Sequence, residues 1–189
     1  MKKNSVQSLA ISALLCALSF IGFEYLRIDI PLPAGTTAVH FGNAFLVLAA
    51  LLVGGLKGGL AGAIGMTIAD LMVPQYVISA PKTFILKLCI GLITGFVAHH
   101  IAKITHSNDR KYILKWTIIA SSCGMLFNVI FDPLVSFIYN NYIIKTGYTV
   151  AKIFAAWSTG TTFINAITSI IIATVLYLAL RPRLKITHH

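Results

Sequence analysis

Long apolar runs, each broken by one or two polar residues towards one end, set the pattern of this chain. Six stretches read as helical spans, at about 5–26, 40–55, 58–73, 82–103, 113–138 and 158–180. A helix that crosses a bilayer needs about 20 predominantly apolar residues, with a range of roughly 17–25, so the second and third stretches are short. They meet at Gly54-Gly55-Leu56-Lys57-Gly58-Gly59, a turn suited to a tight helical hairpin because glycine lets two backbones approach closely. Pro31, Pro33 and Gly35 make segment 27–39 an irregular loop. Pro74 and Pro81 bracket the next break, and Pro182 ends the last helix. These elements predict an all-α integral membrane protein of six transmembrane helices, forming one domain over residues 1–189.

The residues that interrupt the apolar runs are His40, Asn43, Asp70, Lys82, Lys87, Asn128, Asp132 and Asn165. A charge at the centre of a bilayer costs roughly 2.5–3.5 kcal/mol on insertion scales, so such residues are seldom there without a task. The Lys and Arg positions give their depth. With both termini inside, the inner side holds ten of the fifteen: Lys2, Lys3, Lys57, Lys103, Arg110, Lys111, Lys115, Arg181, Arg183 and Lys185. That positive-inside bias predicts an N-in, C-in topology, with both termini cytoplasmic in a plasma membrane. Odd helices then run outward and even helices inward. All eight polar interruptions therefore fall near the outer face, at one shared depth.

Composition supports lipid as the solvent. The chain has 189 residues, 57% hydrophobic and 11% charged, with a mean hydropathy of +0.85, against about 25% charged for a typical soluble domain. The formal net charge of +10 sits in short loops and tails, which excludes a folded nucleic-acid surface. Cys16, Cys89 and Cys123 stand singly in apolar runs and read as packing residues. Lys2 and Lys3 precede an apolar run with no clear small-residue cleavage site, so the first helix is expected to be retained.

Helical spacing groups the polar residues. Asn128 and Asp132 are one turn apart and face the same way, either into an outer cavity or, for Asp132, into the headgroups. Thr161 and Asn165 repeat the spacing on the sixth helix, and Thr83 and Lys87 on the fourth. Lys87 either snorkels outward or pairs with Asp132. His40 and Asn43, read at i, i+3, share a face; with Asp70 they make too poor a ligand set for a metal site. His99 and His100 lie at the opposite end, so neither metal nor cofactor is expected. Tyr25, Tyr76, Tyr139, Tyr142, Tyr148 and Trp157 fall on the outer side and fit an interfacial aromatic belt; Trp157 is also placed to stack on a flat heterocycle. Ala13 and Ala17 form a small-xxx-small pair on which another helix can pack. No phosphate loop, GxSxG, HExxH or pair of catalytic carboxylates is visible, so the chain reads as a non-enzyme with no energy source of its own.

Taken in order, Ala13-x-x-x-Ala17, His40-Phe41-Gly42-Asn43-Ala44, the run Leu51 to Gly62, Ala69-Asp70-Leu71, Pro81-Lys82-Thr83-Phe84-Ile85-Leu86-Lys87 and Phe163-Ile164-Asn165-Ala166 resemble the membrane S-components of energy-coupling factor (ECF) vitamin transporters, in their riboflavin-type branch. The resemblance covers nearly the whole chain. It implies a six-helix subunit that captures a vitamin from outside and works with a transmembrane coupling subunit and two ABC-type ATPases. It also implies that Ala13 and Ala17 dock onto the coupling subunit, that residues 27–39 lid an outward pocket, and that Lys87, Asn128, Asp132, Trp157 and Asn165 contact the ligand. Pyridoxine or hydroxymethylpyrimidine is the expected ligand, with riboflavin second. The alternative is a stand-alone ion-coupled carrier using Asp70 or Asp132 with Lys87; the inverted repeats expected of one are not apparent.

Overall fold

The computed structural model describes residues 3–33, 35–74 and 76–184; Lys2, Lys185, His188 and His189 lie outside the described residues. Among the described residues the chain forms α1 (Lys3–Glu24), β1 (Arg27–Leu32), β2 (Gly35–His40), α2 (Gly42–Val53), α3 (Gly55–Met72), α4 (Ala80–Gly95), α5 (Arg110–Ile138) and α6 (Tyr148–Leu180). π-Helical turns at Phe96–Ile101 and Tyr139–Ile143 extend α4 and α5. Four helical stretches are long and apolar enough to cross a membrane: Val6–Glu24, Val77–Ile101, Arg110–Ile143 and Tyr148–Leu180.

The short α2 is the core of the bundle. Eleven of its twelve residues are buried, and it touches every other helix. A helix apolar all round is stable only when wrapped by other helices or lipid, and α2 is wrapped by protein. Twelve residues rise about 18 Å, short of the ~30 Å hydrocarbon thickness. The hairpin β1–β2 occupies the space beyond its N-terminus. Gly54, at φ 91°, makes the left-handed turn into α3. A Cβ at Gly58 would strike the backbone of Ala49 and Ala50, and one at Gly91 would strike Gly59. The glycine-rich turn is thus what lets α2, α3 and α4 lie backbone to backbone.

Two expectations from the sequence fail here. Segment 27–39 is not an irregular loop: Arg27–Leu32 and Gly35–His40 pair antiparallel, with Arg27 opposite His40 and Leu32 opposite Gly35. Phe41 N–H donates to Leu26 O, while the His40 N–H is turned away to Asn165. The backbone groups of the Arg27, Asp29 and Pro31 positions therefore point out of the ladder, and Pro31 removes no strand–strand hydrogen bond. The second miss is α6, which starts at Tyr148 rather than near 158. Trp157 is consequently a helical residue and not a loop residue.

Candidate functional site

The hairpin closes over a cavity of about 80 Å³ at the end of the bundle where α1, α3 and α5 finish and α2, α4 and α6 begin. His40, Asp70, Lys82, Lys87, Asn128, Asp132 and Asn165 all line it, although they come from β2 and four different helices. Asn43 does not; it is fully buried in α2 with both amide atoms unpaired. The helical i, i+3 reading of His40 with Asn43 fails because His40 belongs to a strand. There its ring packs edge-on against Phe23 at 4.6 Å between centroids, with Nδ1 unpaired.

On the α6 wall the polar groups are already engaged within the chain. Asn165 Nδ2 donates to Ala38 O at 3.0 Å, and its Oδ1 accepts from His40 N–H at 2.9 Å. The carboxamide thus completes the free edge of β2 as a neighbouring strand would, and a buried backbone edge needs such a partner. One turn earlier, the Thr161 and Thr37 hydroxyls lie 2.8 Å apart. Ser158 Oγ donates to Asp132 Oδ2 at 2.6 Å.

The α4 and α5 wall differs. Lys82 Nζ reaches Asp132 Oδ1 at 3.3 Å and Ser136 Oγ at 2.8 Å, so Lys82, rather than Lys87, is the ion-pair partner of Asp132. Lys87 is buried at 7% exposure and makes no hydrogen bond or salt bridge among the described residues. Asn128 is fully buried with both Oδ1 and Nδ2 unpaired. Asp70, also buried, has its Oδ2 unpaired. Buried polar atoms without partners are rare, because each costs about 1–3 kcal/mol. Those of Asp70 and Asn128 belong to residues that line the cavity, whereas others, Asn43 among them, lie elsewhere in the bundle.

A third cluster anchors the outer edge of the hairpin. Arg27 pairs with Glu24 at 2.9 Å and with Asp29 at 3.1 Å, and its guanidinium lies 5.0 Å from the centre of the Tyr76 ring. Tyr76 Oη donates to Asp29 at 2.8 Å. Burial, and then the bond to Asp29, push the Tyr76 phenol well above its usual range, so it remains a donor at physiological pH. Nothing in the sequence spacing links Arg27, Asp29 and Tyr76; only the hairpin brings them together.

Trp157 stands apart from this site. Its side chain is 52% exposed and is not part of the cavity lining, whereas Phe154, Ser158, Thr161 and Thr162 on α6 are. Ala13 and Ala17 lie far from the cavity on an exposed face of α1, with Leu9, Ala10 and Leu14. Among the described residues, no group of three or more His, Cys, Asp or Glu is placed to hold a metal ion.

A family model for the S component of ECF-type riboflavin transporters matches residues 3–182. The chain belongs to this family. The solved S component for biotin from an ECF-type ABC transporter superposes with a TM-score of 0.65 at 19% identity, covering 93% of both chains. The S component of a bacterial ECF transporter gives 0.59 at 18% identity, covering 96% of this chain and 99% of that one. A curated protein from Pyrococcus woesei, described as an uncharacterized protein in gap 3'region, is 36% identical over 69 residues. That match spans 36% of this chain and 45% of that protein, less than half its length. As a member of that family the chain is a transporter S component, and it carries four helical stretches long and apolar enough to cross a membrane. Its fold puts the cavity under a hairpin that the sequence presents as a proline-rich loop.

Proposed function

We propose that this S component captures a small, water-soluble heteroaromatic vitamin or vitamin precursor from the outer face, in the cavity beneath the hairpin. The observation that carries this reading is the unpaired Asn128 carboxamide in the lining of a cavity that Lys87, with no hydrogen bond or salt bridge among the described residues, also lines. A carboxamide offers one donor and one acceptor side by side, the complement of a ring edge that carries an acceptor next to a donor. Hydroxymethylpyrimidine presents such an edge, an amino group beside a ring nitrogen, and riboflavin presents one in its ring imide. Pyridoxine offers only adjacent hydroxyls, without an N–H beside a ring nitrogen or carbonyl. The compact cavity favours the single-ring compound, so hydroxymethylpyrimidine stands first and riboflavin second.

At about 80 Å³ the cavity is smaller than the roughly 150 Å³ that accommodates a benzene ring. We infer that a ligand is admitted when the hairpin lifts away from α6, which enlarges the cavity. The Thr37–Thr161 contact gives a direct test: a disulfide between Thr37→Cys and Thr161→Cys, with Cys16, Cys89 and Cys123 replaced, should block binding when oxidised and restore it on reduction. Full binding by the oxidised protein would refute entry at this point.

The six-helix bundle is taken to cross the membrane with both termini in the cytoplasm, the short α2 enclosed by the other helices, supported by the gathering of Lys57, Lys103, Arg110, Lys111, Lys115, Arg181 and Arg183 at the end away from the hairpin. Energy comes from separate chains, a transmembrane coupling subunit and two ABC-type ATPases. The exposed Ala13 and Ala17 face of α1 suits close packing with that coupling subunit. Ala13→Trp should leave ligand affinity within about twofold and abolish uptake in proteoliposomes holding all partners. Uptake by this chain alone, without ATP, would instead establish an independent carrier.

A further inference from the structure

At the end opposite the hairpin, the start of α5 and the end of α6 enclose a cleft of about 540 Å³. Its floor is apolar, with Ile113 and Leu178, and its rim carries Arg110, Arg181 and Arg183. Arg181 is committed to the fold, since its Nη2 donates to Ile104 O at 2.9 Å and Ser107 O at 2.6 Å. Arg183 makes one bond, to Ala179 O at 2.6 Å, and Arg110 makes none among the described residues. Both are exposed.

Among the described residues this end holds little counter-charge. Of the five carboxylates, Glu24, Asp29, Asp70 and Asp132 belong to the hairpin end. Asp109 alone lies here, and its Oδ1 accepts from the backbone N–H of Lys111 at 2.9 Å. Against this one carboxylate, the same end carries Lys103, Arg110, Lys111, Lys115, Arg181 and Arg183. A phosphate oxygen cluster is the ligand that a pair of guanidinium groups recognises best.

The apolar floor selects the source of that phosphate. Ile171 and Val175, both more than half exposed, lead along α6 to Leu178 and Pro182 in the cleft at successive turns. An apolar track running into a cationic cleft matches an acyl chain below a headgroup, and basic pockets between transmembrane helices hold anionic headgroups in this way. We propose that this cleft is a binding site for one anionic phospholipid, its phosphate held by Arg110 and Arg183 and its acyl chain laid along α6.

Native mass spectrometry of the full chain released from nanodiscs tests this, with phosphatidylglycerol or phosphatidylcholine as the probe. The expected result is one retained phosphatidylglycerol, no retained phosphatidylcholine, and no displacement by millimolar inorganic phosphate. Arg110→Gln with Arg183→Gln should lower retention about tenfold or more, at roughly 1 kcal/mol per basic residue. Lys111→Gln with Lys115→Gln, the same charge change outside the cleft lining, should retain it. Equal retention of both lipids, equal loss in both double variants, or displacement by free phosphate would each overturn the site.

Discussion

The two walls of the hairpin cavity carry the same residue type to different ends. On α6, Asn165 has both amide atoms bonded to the backbone of β2. On α5, Asn128 is as deeply buried and has both amide atoms unpaired. In sequence each is an asparagine in an apolar helix, one turn from a second polar residue. What separates them is whether the protein supplies the hydrogen-bonding partner. Where it does, the residue holds the hairpin in place; where it does not and the residue also lines the cavity, as Asn128 does and Asn43 does not, it becomes the proposed ligand contact. The α4 side repeats the contrast, with Lys82 bonded to Asp132 and Ser136 and Lys87 left unpaired.

The largest effect is expected at the engaged lysine. Lys82→Met leaves the largely but not fully buried Asp132 without its cation, and since breaking a fully buried pair from one side costs about 3–5 kcal/mol, a loss near the lower end of that range is expected. A drop of several degrees or more in the thermal midpoint of the detergent-solubilised protein would register it. A midpoint unchanged from wild type would place Asp132 in water and dissolve the contrast. Next comes Asn165→Leu, which strips partners from the His40 N–H and the Ala38 carbonyl at about 1–3 kcal/mol. Hydrogen exchange should rise at His40 and through the hairpin, and affinity should fall with it. Protection at His40 equal to wild type would remove Asn165 from its supporting role.

Asn128→Leu should behave in the opposite sense. Replacing an unpaired buried amide by an apolar group of similar size is neutral or stabilising, so the ligand-free midpoint should hold or rise by the equivalent of about 1 kcal/mol. The smallest effect belongs to Trp157→Ala, where affinity should stay within about twofold because the indole lies outside the cavity. A tenfold loss there would return Trp157 to the site that its sequence position suggested.

Much of this site was legible in the sequence because polar side chains in apolar helices are costly, which made His40, Asp70, Lys82, Lys87, Asn128, Asp132 and Asn165 visible one by one. The depth implied by Lys and Arg placement then put them at one end. The hairpin was not legible. Its two prolines argue against strands, and its free edge is completed by Asn165, distant in sequence, so local preference is overruled by a tertiary contact. The pairing of Asp132 was equally hidden, since Lys82 and Lys87 differ only by register on α4. The early start of α6 misplaced Trp157 for a similar reason: Tyr148 to Trp157 is mixed enough to read as a loop, yet Ala151 and Phe154 are buried against the bundle.

The central claim, that unpaired groups on the α5 wall form the ligand's contacts, is tested most directly by native mass spectrometry of wild-type and Asn128→Leu protein purified from the same cells. Wild type should carry one small molecule per chain, with the mass of a nitrogen heterocycle, and Asn128→Leu should be bare while remaining at least as stable. An Asn128→Leu protein that keeps the same molecule at wild-type occupancy would contradict the account.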